Sequence, residues 1–328
     1  MDRQNLPLGQ HHHDDSEIIM NINRQKGIAL VLVLWMLALL TIMATGYSRM
    51  MRTEMMLTAN LVHSSQAASL AEAGINIAIA ELLKPAQEQD WKTDGTSYEY
   101  ELNNNIITVK IRAESGKIDL NTARTELLYG LLESVNETGE DLLPQLQALL
   151  DWRDKDDLVR NHGAEDEYYR SAGLGYGAKD GPFNSLDELL LVKGFSLELY
   201  RKIRPALTIY SHQAGIYPQS APREALLAIP FMPITEVDSY LDQREASIAS
   251  DRSLSLPGVD SKYIARGKGT IFSISSEARI NHTLARLNVV VSLRRNGQQP
   301  YSILAWQISP EVMESRQDGM EKEETEKS

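Results

Sequence analysis

The sequence predicts an α+β protein. One very long N-terminal helix packs on an antiparallel sheet, and a large all-α domain is inserted between the strands. Three observations predict this. An uncharged run of 22 residues, Gly27 to Ser48, continues into helical spacing as far as Pro85. Strand-like alternation occurs twice, over residues 98–111 and again over 271–308. Between the two lies a leucine-rich helical block. Strands separated by such a block most simply belong to one sheet.

The run GIALVLVLWMLALLTIMATGYS follows Arg24 and Lys26 and ends at Arg49. At the helical rise it spans about 33 Å, enough to cross a bilayer. Cations before it and a long polar chain after it orient the N-terminus to the cytoplasm and the remainder outward. A cleavable secretory signal would end in small residues. Here Leu57, Leu61, Leu70, Gly74, Ile77 and Glu81 keep helical spacing instead, to about Leu83, where Pro85 stops the helix. Glu72 and Glu81 lie on this amphipathic half, facing either partner subunits or solvent. Residues 1–27 read as a leader. Met20 offers a second start, and His11–His13 belong to that solvated segment rather than to a metal site.

After a polar linker, Tyr98–Leu102 and Ile106–Ile111 alternate around Asn103-Asn104-Asn105, a β-hairpin signature. From Lys117 the leucines of 127–132 and 143–150 return to helical spacing, with Asn121 or Thr122 as the expected N-cap. Residues 151–182 read as an acidic, glycine-rich loop. Ser185 is the expected cap of the next helix, Gly194 breaks it, and Ser196 opens another. Residues 214–224 echo 118–126, so the block of 117–265 reads as two units, 117–210 and 211–265. Strands return over 266–309, and 310–328 reads as a charged, disordered tail.

Totals narrow the function. The chain of 328 residues carries a net charge of -12 and no cysteine. Disulfides and thiolate metal sites are therefore excluded. An exported chain of this kind relies on core packing or on a hard cation held by oxygen ligands. The best candidate site is the acidic loop: Asp151, Asp154, Asp156, Asp157, Glu165, Asp166 and Glu167, with Asn184 and the carbonyls of the Tyr168-Tyr169 turn completing a shell. Carboxylates so dense repel unless a cation neutralises them, and calcium takes six to eight such oxygens. The spacing is not that of an EF-hand. No Gly-x-Ser-x-Gly, phosphate-binding loop or His-Glu-x-x-His is present, so the chain does not read as an enzyme.

The basic residues and Gly27 before Ile28 and an apolar helix, the helix continuing to Leu83, and the segments IDLNTA, LLDWRDKDD, GAEDEYY and LDELLLVKG together resemble the type IV pilin-like superfamily. Within it, they are similar to the K-type minor pseudopilins of type II secretion. The resemblance runs from Arg24 to about Ile308. It implies a pilin-like fold with SAM-like or helix-hairpin-helix-like units in the insert, and calcium bound there as a structural cofactor. It implies cleavage after Gly27 and N-methylation of Ile28 by a prepilin peptidase. Most pilins place a glutamate where this chain has Leu32. The K-type proteins are similar in lacking it and are placed at the filament tip. The implied partners are minor pseudopilins of I, J and H types, through them the major pseudopilin, and the secretin and secreted substrates. The implied location is the bacterial inner membrane, single-pass, with the C-terminal domain in the periplasm and assembled into the pseudopilus.

The alternative is a single-span membrane protein whose exported helix-hairpin-helix domain binds a ligand or DNA. Residues 117–210 hold 11 basic against 17 acidic side chains, which repels a phosphate backbone, so no nucleic acid is expected.

Overall fold

The computed structural model describes residues 25–136, 142–246, 254, 256–294 and 299–312. The leader before Gln25, the greater part of the tail and four short internal stretches lie outside them.

Helix α1 spans Gln25–Leu83. The chain divides into two units, residues 1–61 and 62–328. In the first unit every apolar side chain of 28–48 is exposed, and α1 is the one helix among the described residues long and apolar enough to cross a membrane.

In the second unit, a five-stranded antiparallel sheet has the order β1-β2-β5-β6-β7. Its strands are β1 Asp94–Leu102, β2 Asn105–Ala113, β5 Ile271–Ile280, β6 Thr283–Leu293 and β7 Tyr301–Val312. The first hairpin turns on Asn103 and Asn104, both left-handed (φ 50° and 61°), the geometry that two-residue turns require and asparagine tolerates. Strand β5 runs five residues beyond Ser275, and β7 reaches Val312, past the expected start of the tail. The end of α1 lies on this sheet. Ala67, Ala71, Ile75, Ala78, Ile79 and Leu82 are buried at three- and four-residue spacing against Ile107, Val109, Phe272, Ile274 and their neighbours. Gly74 sits at the closest approach. A Cβ there would lie 2.2 Å from Ser276 Oγ and 2.7 Å from Ile107 Cγ2.

Glu81 is not a partner-facing side chain. It is buried and accepts the N–H groups of Asp90 (2.6 Å) and Trp91 (3.2 Å) and the ammonium of Lys84 (2.6 Å). It ties the linker back onto the helix end.

The inserted block holds β3 Ile118–Asp119, α2 Thr125–Ser134, α3 Leu143–Arg153, α4 Asp166–Ser171, α5 Leu197–Ile203, β4 Leu207–Thr208, α6 Arg223–Leu227 and α7 Ile234–Ala246. It has its own core, centred on Leu127, Leu128, Leu131, Leu149, Tyr169 and Leu226. Each unit of the block closes at its neck. Strand β3 pairs parallel with β4, and Ile216 makes a parallel bridge to Ile264. The repeat legible in 214–224 is thus one of backbone pairing. The chain leaves the sheet at Ala113 and returns beside it at Phe272, its register partner.

The expected caps differ. The N-cap of α2 is Arg124, without a side-chain bond. Asn121 instead accepts from the N–H of Phe183 (2.7 Å) and donates to its carbonyl (3.1 Å), while Thr122 Oγ1 donates to Gln213 (3.0 Å). Both side chains close distant segments instead. Ser185 precedes a short 3₁₀ stretch without a side-chain bond, whereas Ser196 does cap α5, accepting from Leu199 N–H at 3.1 Å.

Candidate functional site

Helix α3 delivers Asp151 and Trp152 in its last turn and Asp154 just beyond it. The acidic stretch that follows is not all loop. Glu165, in extended backbone, opens the six-residue helix α4, whose aromatic Tyr169 packs edge-on against Trp152 at 5.6 Å. Burial pushes the Tyr169 phenol up to about 12. The two tyrosines pack rather than present their rings to the site. Lys193 crosses the Tyr168 ring at 4.4 Å and donates to the carbonyls of His162 (3.2 Å) and Gly163 (3.1 Å).

Asp151 is wholly buried and fully partnered. Its Oδ1 accepts from Arg160 Nη1 (2.7 Å) and its Oδ2 from the N–H groups of Arg160 (3.2 Å) and Ala164 (2.8 Å). A Cβ on Gly163 would lie 1.9 Å from that Oδ2, so the carboxylate occupies the space a side chain would need. Arg160 also pairs with Asp154 Oδ2.

The other side of the cluster is not partnered. Asp154 Oδ1, Glu165 Oε1 and Asp180 Oδ1 are buried, with no hydrogen-bond donor among the described residues. Glu165 is 6% exposed, and burial followed by the charges of Asp151, Asp180, Asp154 and Asp157 pushes its carboxyl up to about 7. Asp180 is also raised, by burial and then by Asp157, Asp166 and Asp154. These acids repel one another, and each of the three keeps one buried oxygen without a donor among the described residues, the condition that a hard cation relieves.

The expected ligand set is therefore split. Asp154 and Asp157 are close enough for their charges to act on both Glu165 and Asp180, and Asp166 acts on Asp180. Asp151 serves Arg160, and Asp166 also pairs with Arg170. Asp156 accepts from the Leu158 N–H (3.1 Å) in its own turn, and Glu167 is exposed on α4. Asn184 is exposed, and its N–H donates to Glu188 (3.1 Å), which holds Lys179 (2.6 Å). Asp180 was the residue that spacing missed. It stands in Lys179-Asp180-Gly181 with φ 51°, a turn signal rather than part of an acidic run. Among the described residues no three carboxylates or imidazoles already stand in coordination geometry. The donor set nonetheless fits a hard cation, because it is all oxygen and three of its buried oxygens are without donors.

Gly27 and Ile28 lie in the first turns of α1, and Leu32 follows one turn later, exposed. The hairpins of the block do not resemble phosphate clamps. Lys193 is spent on two carbonyls, and the left-handed position of the second hairpin is Phe231 (φ 62°) rather than a glycine such as Gly194.

Comparison with known proteins extends this geometry. The family model for type II secretion system protein K matches residues 102–212, from the end of β1 through the first unit of the block. Type II secretion system protein K of Klebsiella pneumoniae is 27% identical over 252 residues, 69% of this chain and 77% of that protein. The Aeromonas hydrophila protein K is 27% identical over 209 residues, 56% of this chain and 62% of that protein. A chain of the crystal structure of the GspK-GspI-GspJ complex from enterotoxigenic Escherichia coli shares the fold. Its TM-score is 0.54 at 18% identity, over 80% of this chain and 99% of that one. A helix of this length, apolar and then packed on an antiparallel sheet, defines a pilin-like α+β protein. The matched block narrows the likeness: over residues 102–212 the chain is similar to type II secretion system protein K, the K-type minor pseudopilins.

Proposed function

We propose that this chain is a non-enzymatic subunit at the tip of the periplasmic pseudopilus. There it initiates and caps assembly, and so supports export of folded proteins across the outer membrane. The observation that carries the reading is Leu32. A carboxylate inside the apolar helix needs a partner to offset its burial in hydrocarbon. A subunit with none above it has no such partner, and this chain places leucine there, in a run without charge from Gly27 to Ser48. The chain is made as a single-span inner-membrane precursor, cut after Gly27 by a prepilin peptidase and methylated on Ile28, with residues beyond Ser48 in the periplasm. The solved complex of a GspK chain with GspI and GspJ supports I- and J-type pseudopilins as its partners. H-type pseudopilin is a further partner, the major pseudopilin is reached through these three, and the chain itself meets secretin and secreted substrates.

Calcium is the proposed structural cofactor. Asp154, Asp157, Glu165, Asp166 and Asp180 would hold it, and when bound it supplies positive charge where the block has no donors.

One experiment tests the filament reading. Pseudopili are purified and their subunits quantified by mass spectrometry. The expected result is a trace subunit beginning at methylated Ile28. A chain that keeps its leader, or one as abundant as the major subunit, sinks the proposal.

A further inference from the structure

A cleft of about 360 Å³ lies between the face of the sheet turned away from α1 and the inserted block. Its floor is built by strand register. Lys110, Ser275, Asn288 and Gln307 stand opposite one another across β2, β5, β6 and β7. The next row is Arg112, Ser273, Val290 and Ala305. Each row begins with a cation and continues without an acid. The wall comes from the block: Ser185 to Asp187, Arg204, Pro205, and Leu207 to Tyr210.

The charge balance is the reverse of the whole molecule's. Four cations line the cleft, Lys110, Arg112, Lys117 and Arg204, against two acids, Glu114 and Asp187. Both acids are already engaged. Glu114 is buried, pairs with Lys117 (2.5 Å) and accepts from Thr208 Oγ1. Asp187 accepts from Tyr200 (2.5 Å), whose oxygen accepts from Arg204 Nε (3.0 Å). Arg112 donates to the Ser220 carbonyl (3.0 Å) and at longer range feels Arg244 and the acids Asp94, Glu224 and Glu114. Lys110 is exposed on the floor. In a chain of net charge -12 this is a local cationic surface with unspent charge.

We propose that the cleft binds an extended, acidic segment of another polypeptide. Carboxylates would meet Lys110, Arg112 and Arg204. The amide and hydroxyl groups of Ser275, Asn288 and Gln307 can both donate and accept, and so suit a peptide backbone laid across the strands. A small inorganic anion would use the cations but not the neutral polar row. The proposal stands independently of the place of the chain in a filament.

The test is fluorescence anisotropy on the full chain in detergent at low ionic strength. The probe is a labelled octapeptide of alternating Glu and Ser, compared with alternating Gln and Ser. The expected result is binding of the Glu peptide, roughly tenfold weaker binding of the Gln peptide, and a roughly tenfold loss in Lys110→Glu. Arg266→Glu, an exposed charge reversal outside the cleft, should leave the affinity unchanged, and Asn288→Leu should weaken it without altering charge. Three results would overturn the proposal: equal binding of both peptides, equal loss in Arg266→Glu, or citrate displacing the probe as well as unlabelled peptide does.

Discussion

The inserted block buries acid in two places and treats it in opposite ways. At its neck, Asp119 is wholly buried and saturated. Its Oδ1 accepts the N–H groups of Asn121 (2.9 Å) and Thr122 (3.1 Å), and its Oδ2 those of His212 (2.8 Å) and the hydroxyl of Ser211 (3.2 Å). At the end of α3, Asp154, Glu165 and Asp180 each keep a buried oxygen with no donor. The first arrangement holds the chain crossing closed with the protein's own groups. The second leaves three buried oxygens without donors among the described residues. Burial alone therefore does not mark a functional carboxylate, and the count of donors does.

The largest expected effect would break the first member of this pair. Asp119→Ala strips four donors of their acceptor and should cost about 3 kcal/mol or more. Thermal unfolding of the protein in detergent should show this loss equally with calcium and with chelator. Restoration by calcium would contradict the distinction between the two places.

Next comes removal of the cation. Calcium at about a hundred times its dissociation constant should add about 2.7 kcal/mol, and chelation should remove it. The response should weaken in Asp154→Ala and in Glu165→Gln while persisting in Asp119→Ala. An unfolding temperature indifferent to chelator takes the metal out of the account.

The smallest effect is the pH response. Glu165 is raised from its ordinary 4.5 to about 7. Between those values the cation-free folded protein holds a proton that the unfolded chain has released. Its contribution is therefore fully present below the ordinary carboxylate range and is lost as pH rises through about 7, on the order of 2 kcal/mol. Calcium should invert the slope, because the cation competes with that proton and binds more weakly as pH falls through the same window. Unfolding curves from pH 5 to pH 8, with chelator and with calcium, should slope in opposite senses.

Much of the fold was legible because it rests on local periodicity. The long helix, the Asn-Asn hairpin and the strands after 271 all follow from spacing and turn chemistry. What failed was what depends on partners far along the chain. Asn121 and Thr122 have the chemistry of caps, yet Phe183 and Gln213 claim them. Helix α4 was hidden in the acidic stretch because only one of its residues, Tyr169, is buried. The candidate site was half legible. The run of Asp and Glu was visible, but nothing in it separates Asp151, which Arg160 neutralises, from Glu165, which no group does.

The register of Ala113 with Phe272 has a further meaning. Seen from the sheet, the whole helical block is a single turn between two neighbouring strands. Loop-closure entropy grows only slowly with length, so such a turn can carry a domain at little cost to the pairing that brackets it. The block is in effect a cassette: its surface can be rebuilt, lengthened or exchanged while helix and sheet keep their geometry. A subunit that must fit its neighbours through one part and meet different molecules through another can thereby change one without renegotiating the other.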